Sequence, residues 1–152
     1  MLSYQIEQAD FASPAVQTLV AENMADLSAR YGGTGDDTPI SAADFTPPRG
    51  AFLVAVAGSQ LIASAGWRRH GTDAELKRMF TTATARGRGV ARRMLAAVED
   101  SARSAGCKRL ILETGDRQPE AIALYESAGY TRIEDFGFYA GHEGVLSYAK
   151  PL

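Results

Sequence analysis

The sequence has few of the residues that build disulfides or zinc sites. Cys107 is its one cysteine, so this chain can form no internal disulfide and no multi-cysteine metal cluster. Its two histidines, His70 and His142, lie far apart in the sequence, which argues against a zinc-binding motif. The sequence therefore predicts a protein without a metal site.

Long apolar runs and an excess of positive charge are also missing. No stretch approaches the roughly 20 apolar residues that a membrane-spanning helix needs. The N-terminus, MLSYQIEQAD, lacks the cationic start and apolar run of a secretory signal. Because 18 Asp and Glu residues outnumber 16 Lys and Arg, the net charge is -2, and no global field attracts nucleic acid or an anionic membrane. We expect a cytoplasmic protein that binds neither.

The chain of 152 residues is 45% hydrophobic and 22% charged, which suits one globular domain over residues 1–152. Apolar periodicity, glycine turns and a proline in a first helical turn place the regular elements. The predicted strands are 4–8, 51–57, 60–69, 74–81, 110–112, 130–133 and 145–149, and the predicted helices are 14–30, 90–105 and 119–128. Residues 31–50 are predicted to be a long loop. This order indicates an α+β fold with layered helices and strands.

The most informative segment is the loop Arg86-Gly87-Arg88-Gly89-Val90-Ala91, between a predicted strand and a predicted helix. The first turn of a helix has unpaired backbone N–H groups and a positive dipole end, so it suits a phosphate group. Glycine lets the backbone come close to such a ligand, and arginine adds charge-assisted hydrogen bonds. The loop lacks the Gly-Lys-Ser/Thr ending of a P-loop. The alternative interpretation is a solvated basic turn.

At these residues the sequence resembles the GNAT superfamily of N-acetyltransferases. Arg86, Gly89 and Ala91 match the family's cofactor-loop signature. A second match, at the family's Ala-x-x-Leu-Tyr and Gly-Phe/Tyr positions, comprises Ala121, Leu124, Tyr125 and Gly129-Tyr130. The resemblance covers most of residues 50–135. It implies a mixed, mostly antiparallel sheet with helices on both faces and a V-shaped split between the strands at 74–81 and 109–113.

The resemblance also implies acetyl-CoA as the co-substrate, without a metal. The pantetheine arm would pair with the backbone of Met79, Phe80 and Thr81, as an added strand does. The pyrophosphate would bind to the loop formed by Arg86, Gly87, Arg88, Gly89, Val90 and Ala91. Gln118 stands where the family often has Asn, and we expect a cofactor contact from it.

Tyr125 matches the family's general acid. A phenol is protonated at neutral pH and can donate to a departing thiolate. Its other interpretation is a core aromatic, since it belongs to an apolar helical stripe.

Glu75 is the candidate base, at the start of the strand 74–81 and near the expected mouth of the split. A surface ion pair with Lys77 or Arg68 is its alternative role. On strict alternation Glu75, Lys77 and Met79 share one face of that strand. The opposite face would then carry Leu76, Arg78 and Phe80. The backbone N–H of Met79 or Phe80 is the family's oxyanion donor.

The acceptor site is the least determined part of the sequence. The resemblance places Glu22, Tyr31 and Tyr139 near the acceptor, while Glu113 either faces the cofactor or ends its strand. The predicted reaction transfers an acetyl group to a primary amine of a small molecule, an amino acid or a protein, by direct attack through a tetrahedral intermediate. The alternative function is a non-catalytic acyl-CoA-binding regulatory module, and a homodimer stays open.

Overall fold

The strands and α-helices follow one another along the chain in the order that the sequence predicts. The structure, a computed structural model, describes residues 2–152. The strands are β1 (Gln5–Gln8), β2 (Gly50–Ala57), β3 (Gln60–His70), β4 (Asp73–Thr81), β5 (Arg109–Gly115), β6 (Thr131–Arg132) and β7 (Val145–Pro151). The α-helices are α1 (Pro14–Tyr31), α2 (Val90–Ser104) and α3 (Pro119–Ser127). No helix within residues 2–152 combines the length and the apolar composition needed to cross a membrane.

Local chemistry explains where the helices begin and end. Pro14 and Pro119 open α1 and α3, where a missing N–H costs nothing and the fixed φ angle favours the helix. Gly106 follows the end of α2 with φ of 87°, a left-handed conformation that glycine adopts without strain. The predicted loop 31–50 contains one short 3-10 helix, Ala42–Phe45, which carries the buried side chain of Phe45.

The strands form one seven-stranded sheet in the order β1-β2-β3-β4-β5-β7-β6. Only the central pair, β4 and β5, is parallel, and every other pairing is antiparallel. The sheet is therefore mixed and mostly antiparallel, as predicted.

Apolar side chains cover both faces of this sheet. On one face α2 buries Met94, Leu95 and Val98 against the strands, together with Tyr125 of α3. On the other face a smaller cluster contains Val16 of α1, and aromatic contacts join its members Phe11, Phe45 and Phe52. Helices on both faces, separated by the sheet, confirm the predicted layers.

A β-bulge in β4 makes the prediction of strict alternation wrong. The β3–β4 register shifts between Ser64 and Gly66, and Arg78 takes a left-handed φ of 56°. The hydroxyl of Ser64 donates to the backbone oxygen of Arg78 at 2.8 Å, which holds the bulge in place. Met79 consequently packs with the α2 and α3 core, on the side of Leu76, and not with Glu75 and Lys77. Arg78 joins Lys77 in contacting one carboxylate, that of Asp36.

Candidate active site

The two central strands separate after a short paired segment. β4 and β5 pair only at Ala74–Leu110 and Glu75–Ile111, near their N-terminal ends. Beyond this point the strands diverge around a cavity of about 320 Å³, lined on the β4 side by residues 76–79 and on the β5 side by residues 112–115. Backbone groups of β4 that face this gap have no strand partner there within residues 2–152. The structure confirms the V-shaped split.

Two tyrosines predicted near the acceptor, Tyr31 and Tyr139, both line this cavity. The Tyr31 hydroxyl accepts from the backbone N–H of Arg117 at 3.1 Å and from the side chain of Gln118 at 3.3 Å, so α1 is tied to the start of α3. The third predicted residue, Glu22, is exposed and lies outside the cavity, in a shallow groove beside Thr82. The structure therefore brings two of the three residues together.

A roof over the cavity joins the loop after α1 to the loop before β7. The Tyr139 hydroxyl donates to Asp36 Oδ1 at 3.0 Å and accepts from the backbone N–H of Asp37 at 2.7 Å. His142 and Glu143 of the second loop also line the cavity. The contacts of Tyr139 therefore link two segments that are about a hundred residues apart in sequence.

Tyr125 lies at the apolar side of the cavity. Its side chain is buried against Tyr130 and Tyr148, at ring-centre distances of 5.8 and 6.4 Å. The hydroxyl has one weak contact, 3.8 Å from the sulfur of Met79. Burial raises the pKa of Tyr125 well above the ordinary value of 10, so the hydroxyl keeps its proton at every physiological pH. Tyr125 is thus both a core aromatic and a cavity residue.

Glu75 takes the ion-pair role that the sequence left open for it. The carboxylate is buried, and it accepts from Arg68 Nε at 3.0 Å. Arg68 also contacts Asp44 at 3.2 Å, so one guanidinium serves two carboxylates. Glu75 is not among the residues that line the cavity.

Glu113 of β5 faces the cavity instead. Its Oε2 accepts from the backbone N–H of Tyr139 at 3.0 Å, and its Oε1 is buried without a partner in the described part of the chain, residues 2–152. Burial raises the pKa of Glu113, and the nearby charges of Glu75 and Asp36 add to the rise. Together they outweigh the opposing effects of the Tyr139 N–H and Lys77 on this pKa.

The sequence contained a signal for Glu113. It is a charged residue directly after the apolar run Leu110-Ile111-Leu112 and within the same strand. On alternation it shares a face with Ile111, whose partner on β4 is Glu75. The sequence alone does not give the β4–β5 pairing, so it could not place Glu113 on the same face as the cavity.

The arginine-rich loop lies at the head of α2. The helix begins at Val90, so residues 86–89 of the loop precede it. Gly89 is the N-cap residue and has a left-handed φ of 79°. The backbone N–H groups of residues 87–92 have no backbone acceptor within residues 2–152. No acidic residue occupies the first turn, and a Cβ on Gly87 or Gly89 would meet open space. An anion therefore has room and donors at this point.

The other predicted cofactor residues are divided between the cavity and this loop. Met79 and Gln118 line the cavity. Phe80 and Thr81 lie beyond the cavity wall, where Arg86 stacks on the Phe80 ring at 5.6 Å and donates to the backbone oxygen of Thr81 at 3.0 Å. They therefore connect the cavity to the loop. Within residues 2–152, no three His, Cys, Asp or Glu side chains come together as a metal site.

Solved acetyltransferases share this fold. An acetyltransferase of the GNAT family from Staphylococcus aureus has a TM-score of 0.81 over 99% of both chains, at 16% identity. An aminoglycoside 6'-N-acetyltransferase complexed with coenzyme A has a TM-score of 0.73 at 16% identity, and the match covers 97% of this chain and 96% of that one. At such identities the likeness is one of fold alone.

Sequence comparisons carry the family assignment. A protein called IAA acetyltransferase, from Azospirillum brasilense, is 46% identical over 78 residues, 51% of this chain and 51% of that protein. The chain thus spans about half the length of the curated relatives it matches. The model of the acetyltransferase (GNAT) family matches residues 17–130, which is most of the sequence. The chain therefore belongs to the acetyltransferase (GNAT) family.

Proposed function

We propose that this protein transfers an acetyl group from acetyl-CoA to the primary amine of an acceptor that enters the cavity between β4 and β5. One observation carries the proposal. The split strand pair holds a protonated tyrosine and a buried carboxyl group with an oxygen that has no partner within residues 2–152, and β4 continues towards a helix end that can accept an anion. Acyl transfer from a thioester to an amine is assisted by a proton acceptor for the amine and a proton donor for the thiolate, and a site for the pyrophosphate would bind coenzyme A.

The donor side of the proposal rests on residues 79–91 together with Gln118. The unpaired N–H groups of residues 87–92 would hold the pyrophosphate, and Arg88 is exposed beside them. The backbone of β4 from Met79 to Thr81, which pairs with β3 but not with β5, would pair with the pantetheine amides on the β5 side. Coenzyme A supplies the acetyl thioester when it is bound. The backbone N–H of Met79 or Phe80 is the candidate donor to the carbonyl oxygen.

For the proton transfers we assign the acid to Tyr125 and the base to Glu113. The hydroxyl of Tyr125 holds its proton on the cavity side of α3, where it can be passed to a departing sulfur. Glu113 is preferred to Glu75 because it lines the cavity and keeps one oxygen without a partner. Glu75 is engaged by Arg68 and does not line the cavity. A raised pKa makes Glu113 a better proton acceptor than an ordinary carboxylate.

The donor site can be tested by adding a charge without straining the loop. Gly89 has a left-handed φ of 79°, so any side chain placed there would strain the backbone. We therefore choose Ala91, in the first turn of α2. Ala91→Asp improves the match to the helix dipole but repels a diphosphate. We expect the acetyl-CoA dissociation constant to rise at least tenfold by calorimetry, with an unchanged or higher Tm.

Ala96→Asp is the matched control, because it adds the same charge to an exposed site in the middle of the same helix. Its dissociation constant should stay close to that of the wild type. Equal weakening by both variants would remove the pyrophosphate from the head of α2.

The alternative function is a non-catalytic acyl-CoA-binding module. A screen of primary amines for acetyl-CoA-dependent thiol release separates the two. Turnover with any amine supports the enzyme, provided that Glu113→Gln reduces it. Tight acetyl-CoA binding without turnover across the whole panel would favour the binding module.

A further inference from the structure

Both carboxylate oxygens of Asp36, in the roof of the cavity, accept several hydrogen bonds. The carboxylate nevertheless gives the neighbouring Arg78 only one contact. Its Oδ1 accepts from the backbone N–H and the hydroxyl of Thr38, at 3.0 and 2.6 Å, and from Tyr139. Its Oδ2 alone serves both Lys77, at 3.2 Å, and Arg78, at 2.5 Å. Asp36 cannot therefore offer Arg78 the two-oxygen contact that a guanidinium usually makes with a carboxylate.

Arg78 consequently has donors left over. Its side chain is only 5% exposed, and Asp36 is its one hydrogen-bond acceptor within residues 2–152. The Nε atom is fully buried without an acceptor, while Nη2 also lacks one but stays accessible to solvent. Leaving donors of a buried charged group unpaired is costly, so a second anionic partner is expected. Arg78 lines the cavity, where such a partner would bind.

On the other side of the cavity, one oxygen of Glu113 in β5 lacks a hydrogen-bond donor within residues 2–152, where a nitrogen of Arg78 in β4 lacks an acceptor. Its Oε1 is a buried acceptor without a donor in the described residues, and it belongs to the same cavity. β4 thus supplies an unsatisfied cation and β5 an unsatisfied carboxyl group. A ligand that satisfies both carries an amine at one end and an anionic group at the other.

Two acidic residues of the loop after α1 are already paired with cations of the protein, so they are not free to bind this ligand's amine. Asp36 is paired with Lys77 and Arg78, and Asp44 is paired with Arg68. Internal cations therefore already neutralise Asp36 and Asp44. Among the residues that line the cavity, Arg78 and Glu113 are the ones with a buried side-chain atom that lacks a partner within residues 2–152.

We propose that the acceptor is a small aminocarboxylate, whose amine lies at Glu113 and whose carboxylate lies at Arg78. This inference rests on the acetyltransfer proposed above and names its substrate class. Arg78 then acts as a specificity residue that positions the amine end for reaction. An amine without a carboxylate leaves Arg78 with its contact to Asp36 alone and loses the second anionic partner.

Matched acceptor pairs test the inference directly. Glycine, β-alanine and 4-aminobutyrate are compared with ethylamine, propylamine and butylamine, which keep the amine and the chain length but lack the charge. We expect kcat/KM to favour the best aminocarboxylate at least tenfold over its partner, since a site built to pair a polar group rejects analogues that lack it. A wild-type enzyme that used both members of each pair equally would overturn the inference and leave acetyltransfer intact.

Variants assign the preference to Arg78. In Arg78→Gln the ratio of the two kcat/KM values should collapse to within threefold, and Arg78→Lys should restore part of it. Arg109→Gln is the control, because Arg109 also pairs with a single aspartate, Asp73 at 2.8 Å, at the closed end of the strand pair. It should retain the wild-type ratio. If Arg78→Gln retained it as well, the carboxylate would not bind at Arg78.

A binding measurement decides the case if no amine turns over, which would refute the proposed function. Ligand-detected NMR compares N-acetyl-β-alanine with N-propylacetamide on the protein saturated with coenzyme A. Preferential binding of the carboxylate that Arg78→Gln abolishes would support the inference on its own. Equal binding of the two compounds, or of neither, would overturn it.

Discussion

Replacing Tyr125 by Phe removes one hydroxyl and leaves the aromatic ring in place. The ring contacts with Tyr130 and Tyr148 therefore survive. The lost hydroxyl has only the sulfur of Met79 at 3.8 Å as a partner, and a thioether is a weak acceptor. We expect the free energy of unfolding to change by less than about 1 kcal/mol. For a chain of this length that corresponds to a Tm change below about 4 °C.

The effect on catalysis should be much larger. A positioned general acid contributes about 10²- to 10⁴-fold to a rate, so Tyr125→Phe should lower kcat by that factor. The assay follows thiol release at saturating acetyl-CoA and amine, with the Tm measured by calorimetry on the same preparations. Because burial raises the pKa of Tyr125, the wild-type rate should show no alkaline decline from this group up to about pH 10.

Tyr130→Phe is a matched control on the neighbouring ring. Its hydroxyl donates to Glu99 Oε2 at 2.7 Å in a buried site, and Lys150 contacts the same carboxylate at 3.1 Å. Loss of this bond should cost about 1–3 kcal/mol of stability while the rate per folded molecule is retained. Tyr125→Phe should therefore lose rate and keep its stability, whereas Tyr130→Phe should lose stability and keep its rate. Retention of more than a third of the wild-type kcat in Tyr125→Phe would refute the acid assignment.

Two further predictions concern the buried carboxyl groups. Glu113→Gln should lower kcat/KM at pH 7 about 100-fold or more if the carboxylate is the base, without lowering the Tm. In the wild type the acidic limb of kcat/KM should lie above pH 4.5, because burial raises the pKa of Glu113; a limb that Glu113→Gln leaves unmoved would refute this. Burial alone would raise the pKa of Asp36, but Lys77, Arg78 and Thr38 lower it well below 3.8, so its stabilisation is present above that pH and is lost as the pH falls. Asp36→Asn should lower the free energy of unfolding by about 3–5 kcal/mol at pH 7, as measured by urea unfolding. The difference from the wild type should narrow below pH 4. A difference that stayed constant would contradict the ion pairing.

Local sequence signals determined most of the fold. The apolar spacing and Pro14 place the first helix at 14–30, and the structure has Pro14–Tyr31. Glycines after the second and third helices mark their ends, because each takes a left-handed conformation there. The split between the central strands came from the family resemblance and not from the periodicity.

The acceptor side of the cavity was not predictable from local patterns. The ion pair of Asp36 with Arg78 joins residues 42 positions apart, and the bond from Tyr139 to Asp36 spans 103. Asp36 lies in a loop whose composition indicates only exposure to solvent. No residue near Asp36 in the sequence indicates that it pairs with two buried cations. Lys77 and Arg78 come close to it only once the sheet has formed.

The bulge at Arg78 explains why alternation fails at the residues that matter most. A strictly alternating β4 would direct Arg78 into the apolar core of α2 and α3, where a guanidinium without partners is costly to bury. It would also turn Met79 away from the hydroxyl of Tyr125, its present neighbour. One inserted residue avoids both costs, and Ser64 secures it from the adjacent strand. The same distortion thereby gives the cavity an apolar side at Tyr125 and a cationic side at Arg78, and the proposed acetyltransfer to an aminocarboxylate would use both.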